Sequence, residues 1–400
     1  MLFKYCADTN VDGRAILPET RTYLNAAYNW WGLILNVDIP ITILKKKKMK
    51  NKYFSILENL KEGQASVATP NDKVLIIDGL NTFIRSFAVS PVTNDDGIHV
   101  GGITGFLMSI GFAIKTLQPT RVIICFDGKG GSQRRRKLFT DYKANRLVRT
   151  KLNRTNAFGD KESESENMKM QLGRLIQYLD LLPVQILAPE NIEADDAIAY
   201  ISKQLLTESK VFIMSSDKDF IQLVDDRIAV WSPTKKKLYF KEDVVEDYKL
   251  PAHNYLLYRT LTGDKSDNIP GIRGTGIATL QKRLPILFSD KVVTIQELID
   301  ECQDSKIKVM QTIAGSKETL ELNYKLMQLN EVDISGNSKN KIMNVIRNSI
   351  NRMSTTQFKV MLIEDGITGA FKNLEFWMRE RFLRLDTHAD TFNKSCKNNK

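Results

Sequence analysis

Three short aliphatic runs, VLIID (74–78), VIICFD (122–127) and VFIMSSDKDF (211–220), each lead into aspartate. Each run is too short for a core helix and rich in β-branched residues, so each is read as a buried strand. Strands buried on both faces belong to a parallel α/β sheet, whose ligands bind beyond the carboxyl ends of the strands. The chain is therefore expected to gather Asp78, Asp127, Asp217 and Asp219 at one edge of one sheet.

The segments between these strands fit that expectation. Ile103, Phe106, Leu107, Ile110, Ile114 and Leu117 recur at helical spacing, and Pro119 closes the segment before the second strand. A right-handed crossover then places the first two strands side by side. Met168, Leu172, Leu175, Ile176, Leu179 and Leu182 predict a further helix ending at Pro183. IEADD (192–196) opens another helix, with Ile198, Ile201 and Leu205 on its inner face. Acids in a first turn ordinarily serve as caps and dipole partners. Here Glu193, Asp195 and Asp196 crowd together directly before the third strand, and crowded carboxylates repel unless cations neutralise them. Ile228 to Phe240 reads as a hairpin.

Between these elements lies a long polar insert, at about 128–166, in which apolar periodicity disappears. Arg134, Arg135, Arg136, Lys137, Lys143, Arg146, Arg149, Lys151 and Arg154 are interleaved there with Phe139 and Tyr142. Phosphate contacts and base stacking call for these residue types, and long polar inserts in compact domains are usually functional. Further on, TLTGDKSDNIPGIRGTGIATL (260–280) adds Asp264 and Asp267. Gly271, Gly274 and Gly276 let that backbone turn tightly and present N–H groups to phosphate. GTGIAT is not a dinucleotide fingerprint, because no strand precedes it, and there is no GxxxxGK[ST] loop for nucleotide hydrolysis.

Composition narrows the partner. The formal net charge is +11 and the pI about 9.2, while the expected site is acidic, so the positive surface lies elsewhere and nucleic acid is the first partner to suspect. The four cysteines, Cys6, Cys125, Cys302 and Cys396, show no metal or redox spacing, which excludes a zinc site and fits a reduced, cytoplasmic setting. Three histidines leave little room for His-based catalysis. Hard oxygen ligands select magnesium or manganese, and the number of carboxylates suits two ions, about 3.5 to 4 Å apart in sites that hydrolyse phosphodiesters.

The quoted motifs IEADD, SSDKDF, YKANR and TGDKSDNIPGIRGTG resemble the 5′ nuclease, or flap endonuclease, superfamily. The similarity covers about residues 73–284 and is greatest to stand-alone 5′ to 3′ exonucleases, including the phage ribonuclease H type, and to the nuclease domain of bacterial DNA polymerase I. It implies an α/β, PIN-like domain over 71–250 with a central, mainly parallel sheet. It also implies a helical arch in the insert, a helix-three-turn-helix element over 251–290 that grips duplex, and a helical region over 291–400. Carried over, Asp78, Asp127, Glu193, Asp195 and Asp196 surround one divalent ion, and Asp217, Asp219, Asp264 and Asp267 the second. Tyr142, Lys143 and Arg146 match the base of the arch, Lys143 as the cation facing the transition state, and Arg134 to Lys137 add nucleic-acid contacts. The loop with Gly271, Gly274 and Gly276 is implied to bind duplex and a potassium ion.

The implied activity is removal of 5′ flaps, 5′ ends or RNA primers by a monomer acting on DNA or RNA/DNA duplex, with a single-stranded-DNA-binding protein as a further partner. Two other readings compete with it, a PIN-type single-strand ribonuclease and a homologue that binds DNA without cutting it. The duplex-gripping segment disfavours the first, and the full set of mutually repelling acids disfavours the second. Residues 1–70 have no counterpart in the resemblance and are expected to lie outside the core fold. The apolar stretch at 30–44 is shorter than a membrane span and is broken by Asp38 and Pro40, so no membrane role is expected. The lysines at 45–48 precede Met49, which fits an upstream extension.

Overall fold

β1 (Lys73–Asp78) fixes the architecture, because Val74, Leu75, Ile76 and Ile77 are all fully buried and the strand must be covered on both faces. In the computed structural model, which describes residues 69–148 and 151–398, β1 lies between β2 (Arg121–Cys125) and β4 (Lys210–Met214), parallel to both. β3 (Gln185–Leu187) pairs parallel with β2, and β5 (Ile228–Ser232) parallel with β4. β6 (Lys237–Tyr239) completes the sheet antiparallel to β5, as the hairpin pattern predicts. The order is β3-β2-β1-β4-β5-β6. The chain moves outward from β1 to β3 and then returns to the other side of β1, so the switch in winding falls between β1 and β4.

Register explains how distant aspartates meet. Asp78 is level with Cys125 on one side, and Ile77 with Met214 on the other. The residues that follow Cys125 and Met214 therefore leave the sheet beside Asp78.

α1 (Gly79–Val89) follows β1 directly and is capped by it, since an Asp78 carboxylate oxygen accepts the Asn81 N–H at 3.1 Å. Leu80, Phe83, Ile84 and Phe87 lie at helical spacing, so the apolar pattern marks this helix although it is not among the expected elements. α2 (Gly101–Leu117) buries the six residues whose spacing predicts it and ends at Gln118 in the left-handed region, one residue before Pro119. In the insert, α3 (Gln133–Leu138) is followed by a 3₁₀ turn (Ala144–Val148). α4 (Lys161–Asp180) starts seven residues before the first apolar position of its pattern, because Asp160 caps it through the Ser163 N–H.

α5 (Ala194–Tyr200) runs on as a π-helical turn (Ile201–Leu205). A 3₁₀ turn (Asp219–Leu223) follows β4. Beyond the sheet the chain is helical: α6 (Lys241–Tyr248), α7 (Ala252–Thr262), α8 (Ile277–Arg283), α9 (Ile295–Gln303), α10 (Lys308–Ala314), α11 (Lys317–Met327), α12 (Gly336–Arg347), α13 (Thr355–Glu364) and α14 (Leu374–Asn398).

One apolar core runs from Val74 and Ile76 of the sheet, through Leu257 and Leu261 of α7, to Ile342 and Ile346 of α12. The α/β layer and the helical region thus stabilise each other, and residues 68–400 form one compact unit. None of the helices among the described residues is long and apolar enough to cross a membrane. The expectations for residues up to 68, including the apolar stretch at 30–44, lie outside the described residues.

Candidate metal and nucleic-acid site

Asp78 ends β1, Asp127 lies two residues past β2, Asp217 three past β4, and Asp195 sits in the first turn of α5. These four, with Asp219 and Asp267, line a single cavity of about 530 Å³ at the carboxyl edge of the sheet. Oxygens of Glu193, Asp195 and Asp196 also approach within 4.8 Å of one another. The switch between β1 and β4 thus opens onto carboxylates drawn from five separate parts of the chain.

Local bonds hold these acids in place. Asp78 accepts the Ser215 hydroxyl at 3.0 Å, and Asp127 accepts the Ala194 N–H at 2.7 Å. Asp217 receives the Asp219 N–H at 2.9 Å, so SSDKD folds into a tight turn that keeps both side chains at the cavity. Ser216 binds the Asn81 side chain through its N–H and its hydroxyl, tying this turn to α1.

Cations of the insert reach into the centre. Arg135 is 2 % exposed and donates to both oxygens of Asp196, at 2.8 and 2.9 Å, as well as to Glu193. Its remaining Nε–H goes to the Leu326 carbonyl at 2.8 Å. Lys143 donates to Glu193 and stands 4.0 Å from Asp267. Tyr142, buried beside it, donates to Glu193 at 3.2 Å or Asp267 at 3.3 Å. Arg146 pairs with Asp267 at 2.5 Å. On the opposite side, Arg259 of α7 bridges Asp219 at 2.8 Å and Asp264 at 2.5 Å.

The electrostatics divide the acids into two groups. Burial opposes ionisation of Glu193, but Arg135 and Lys143 hold its carboxyl down to about 2. Burial pushes Asp78 up to about 7, helped by the charges of Asp217 and Asp127. Asp219 is likewise raised to about 7 by burial and by Asp217, although Arg259 opposes the shift. Asp217 and Asp195 are also raised, chiefly by desolvation at the cavity floor. An all-oxygen donor set in which several acids resist ionisation fits hard divalent cations, which would supply the missing positive charge.

A pH dependence follows for protein freed of divalent ions. Asp78 loses its proton near 4 when unfolded and near 7 when folded. Between those values the unfolded chain binds fewer protons, so folding stability falls as pH rises through this window, while below 4 both states are protonated and nothing is lost. Asp78→Asn should therefore be more stable than the wild type at pH 8 in chelator, by about 2 kcal/mol after allowance for partial solvent access, and equal to it at pH 4. Urea midpoints at the two pH values check this. A wild type that is the more stable at pH 8 would contradict it.

Between α7 and α8 the chain makes a series of turns. Gly263 ends α7 with φ +69°, Asp264 and Ile269 exchange backbone bonds, and Gly276 caps α8. Gly271 packs so closely that an added Cβ would lie 2.1 Å from the Thr262 carbonyl oxygen. Lys265, Arg273, Gly274 and Thr275 line a shallow depression there. Gly271→Ala is expected to displace this loop, weakening duplex binding by tenfold or more and flattening its salt dependence, as a filter-binding salt series would show. An unchanged slope would remove the loop from the interface.

Several sequence expectations change in the structure. The described part of the insert holds one six-residue helix and a 3₁₀ turn before α4, folded onto the acidic centre, and not an arch of helices. Arg135 was expected to contact nucleic acid, but it is buried and consumed by Glu193 and Asp196. The Tyr142 ring is likewise covered, so no base can stack on it in this conformation. Arg134 is turned toward Asp196 at 3.3 Å, while Arg136 and Lys137 are exposed. Asp264 faces Arg259 and Ser266 and does not line the cavity. Sequence reasoning missed Arg259, Ser215 and Asn81. Of these Ser215 stands inside the quoted SSDKDF motif, and Arg259 directly precedes the segment that opens at Thr260.

A mainly parallel sheet whose carboxyl edge carries a crowded, all-oxygen acidic centre fits a metal-dependent phosphodiester hydrolase. More specifically, residues 73–249 match the family described as the 5′-3′ exonuclease, N-terminal resolvase-like domain. The chain is 29% identical over 256 residues to a 5′-3′ exonuclease of Aquifex aeolicus, covering 64% of this chain and 80% of that one. It is also 29% identical over 248 residues to a 5′-3′ exonuclease of Bacillus subtilis, covering 60% and 78%. In three dimensions it is similar to the bacteriophage T5 D15 flap endonuclease solved with DNA and metal ions. There the TM-score is 0.54 at 20% identity, over 74% of this chain and 99% of that one, a likeness of fold.

Proposed function

We propose that the protein is a divalent-metal-dependent 5′ to 3′ exonuclease and flap endonuclease that removes 5′ ends, flaps or RNA primers from duplex during replication and repair. The observation that carries this reading is the meeting of Asp78, Asp127, Asp195, Asp217, Asp219 and Asp267 around one cavity bordered by Lys143 and Arg146. Asp78, Asp127, Glu193, Asp195 and Asp196 would hold one ion. Asp217, Asp219 and Asp267 would hold the second, with Asp264 acting through Arg259 or through water. Such ions supply an activated water and charge stabilisation for an in-line displacement at phosphorus.

The chain's own residues do the rest. Lys143 brings an ammonium to the cavity wall, where it can face the charge that develops on the phosphate. Asp78 and Asp127, fixed by Ser215 and the Ala194 N–H, keep their oxygens directed inward. The turns between α7 and α8 would hold duplex through backbone N–H groups, and their carbonyls would hold a potassium ion. Lys143→Ala is expected to lower kcat about a hundredfold while changing substrate Kd less than threefold. A larger loss in binding than in turnover would assign Lys143 to anchoring alone.

The direct test is cleavage of a 5′-flap duplex against the matching single strand, with magnesium and with chelator. Magnesium-dependent cutting near the flap junction is expected. Cutting of single strands only would favour a ribonuclease of the PIN type, and binding without cutting a homologue that has lost catalysis.

A further inference from the structure

α11 lies outside the residues that match the nuclease family, yet it touches each part of the site. Its Asn323 is fully buried and donates to the carbonyls of Thr260 at 3.0 Å and Pro270 at 2.8 Å, which flank the entry to the duplex-gripping turns. One turn further, the Leu326 carbonyl accepts from Arg135, the cation behind Glu193 and Asp196. The Met327 carbonyl accepts from Gln222 at 3.0 Å, and Gln222 also donates to the Asp219 carbonyl at 2.9 Å. The apolar side of α11 completes the arrangement. Leu322, Leu326 and Met327 form one cluster with Phe139 and Tyr142 of the insert, Leu256 of α7 and Ile269 of the turns.

The turns and the insert are also joined directly. The Lys143 N–H donates to the Asp267 carbonyl at 2.9 Å, the Asn268 side chain to the Asp141 carbonyl at 2.9 Å, and the Asn145 side chain to the Lys265 carbonyl at 2.8 Å. A shift of the turns therefore carries Lys143 and Asp267 with it. Because buried polar groups left unpaired are costly, α11 resists any such shift that does not move it as well.

We propose that α11, held through Asn323, is a positioning element that couples duplex engagement at residues 262–276 to the placement of Lys143, Asp219 and Asp267, so that duplex raises turnover as well as affinity. This rests on the nuclease reading above. Asn323 is a positioning residue, acting through the turns and not on substrate.

The experiment compares wild type, Asn323→Ala and Asn323→Thr for kcat and KM on a 5′-flap duplex and on the matching single strand. Manganese binding to chelator-stripped protein is followed by calorimetry. For Asn323→Ala, kcat on the flap should fall about tenfold, kcat on the single strand should stay within about twofold, and manganese affinity should not change. Equal losses on both substrates would reduce α11 to general scaffolding, and a change in KM alone would limit it to grip. Either outcome overturns the coupling while leaving the nuclease reading intact. A wild type that cuts neither substrate with magnesium overturns both. Should Asn323→Ala fail to fold, Asn323→Thr, whose single hydroxyl can serve only one of the two carbonyls, should show a smaller loss of kcat confined to the flap, and an equal loss on both substrates or none on the flap would overturn the coupling.

Discussion

Replacing Asp217 by asparagine is expected to lower cleavage of a 5′-flap duplex by at least about a thousandfold, while substrate Kd changes no more than about threefold. Asp217 lines the cavity, receives the Asp219 N–H and raises the carboxyls of both Asp78 and Asp219 by its own charge. Its charge thus acts on both sides of the proposed two-ion centre. Asparagine keeps the shape and the hydrogen bond but removes the charge, so the turn survives and the proposed grip on duplex, assigned to the separate turns between α7 and α8, should be untouched. Turnover at the wild-type rate in magnesium would exclude Asp217 from the ion site.

Arg135→Met is the second large effect, and its first readout is stability. The guanidinium is almost completely buried and satisfies Asp196 through both oxygens, Glu193, and the Leu326 carbonyl. Removing it leaves two buried carboxylates with too little compensating charge, which typically costs about 3–5 kcal/mol. Urea unfolding should show a loss of that size. Arg135→Met combined with Asp196→Leu should recover much of it, because an apolar pair avoids the unpaired charge. A double variant no more stable than the single one would mean that Asp196 depends little on Arg135. The same substitution should also loosen the insert, since Arg135 is its deepest bond to the rest of the fold.

The sequence shows the strands and the acids they deliver because both are local patterns: β1, β2 and β4 are aliphatic runs, and their aspartates follow at once. It also shows the turns between α7 and α8, where Gly271 has a steric reason to lack a side chain. α1 also carries its apolar residues, Leu80, Phe83, Ile84 and Phe87, at helical spacing, and its start is masked by Asp78, a cap already given a different task. The insert was misjudged for a related reason. Its many cations suggested a surface for nucleic acid, but a charge run does not say which members face inward, and Arg134, Arg135 and Lys143 turn toward Glu193 and Asp196. Arg259 and Asn323 act across long separations, through partners that no spacing rule connects.

The acidic edge is assembled from residues that leave the ribosome far apart in time. A chain grown only to residue 250 holds Asp78, Asp127 and the acids of α5, but it lacks Arg259, Asp264 and Asp267, and the Leu326 carbonyl that anchors Arg135 comes later still. Contacts of such long sequence separation form late and slowly. The carboxyl edge therefore reaches its full set of contacts only once the helices that follow the sheet have been made and have packed against it.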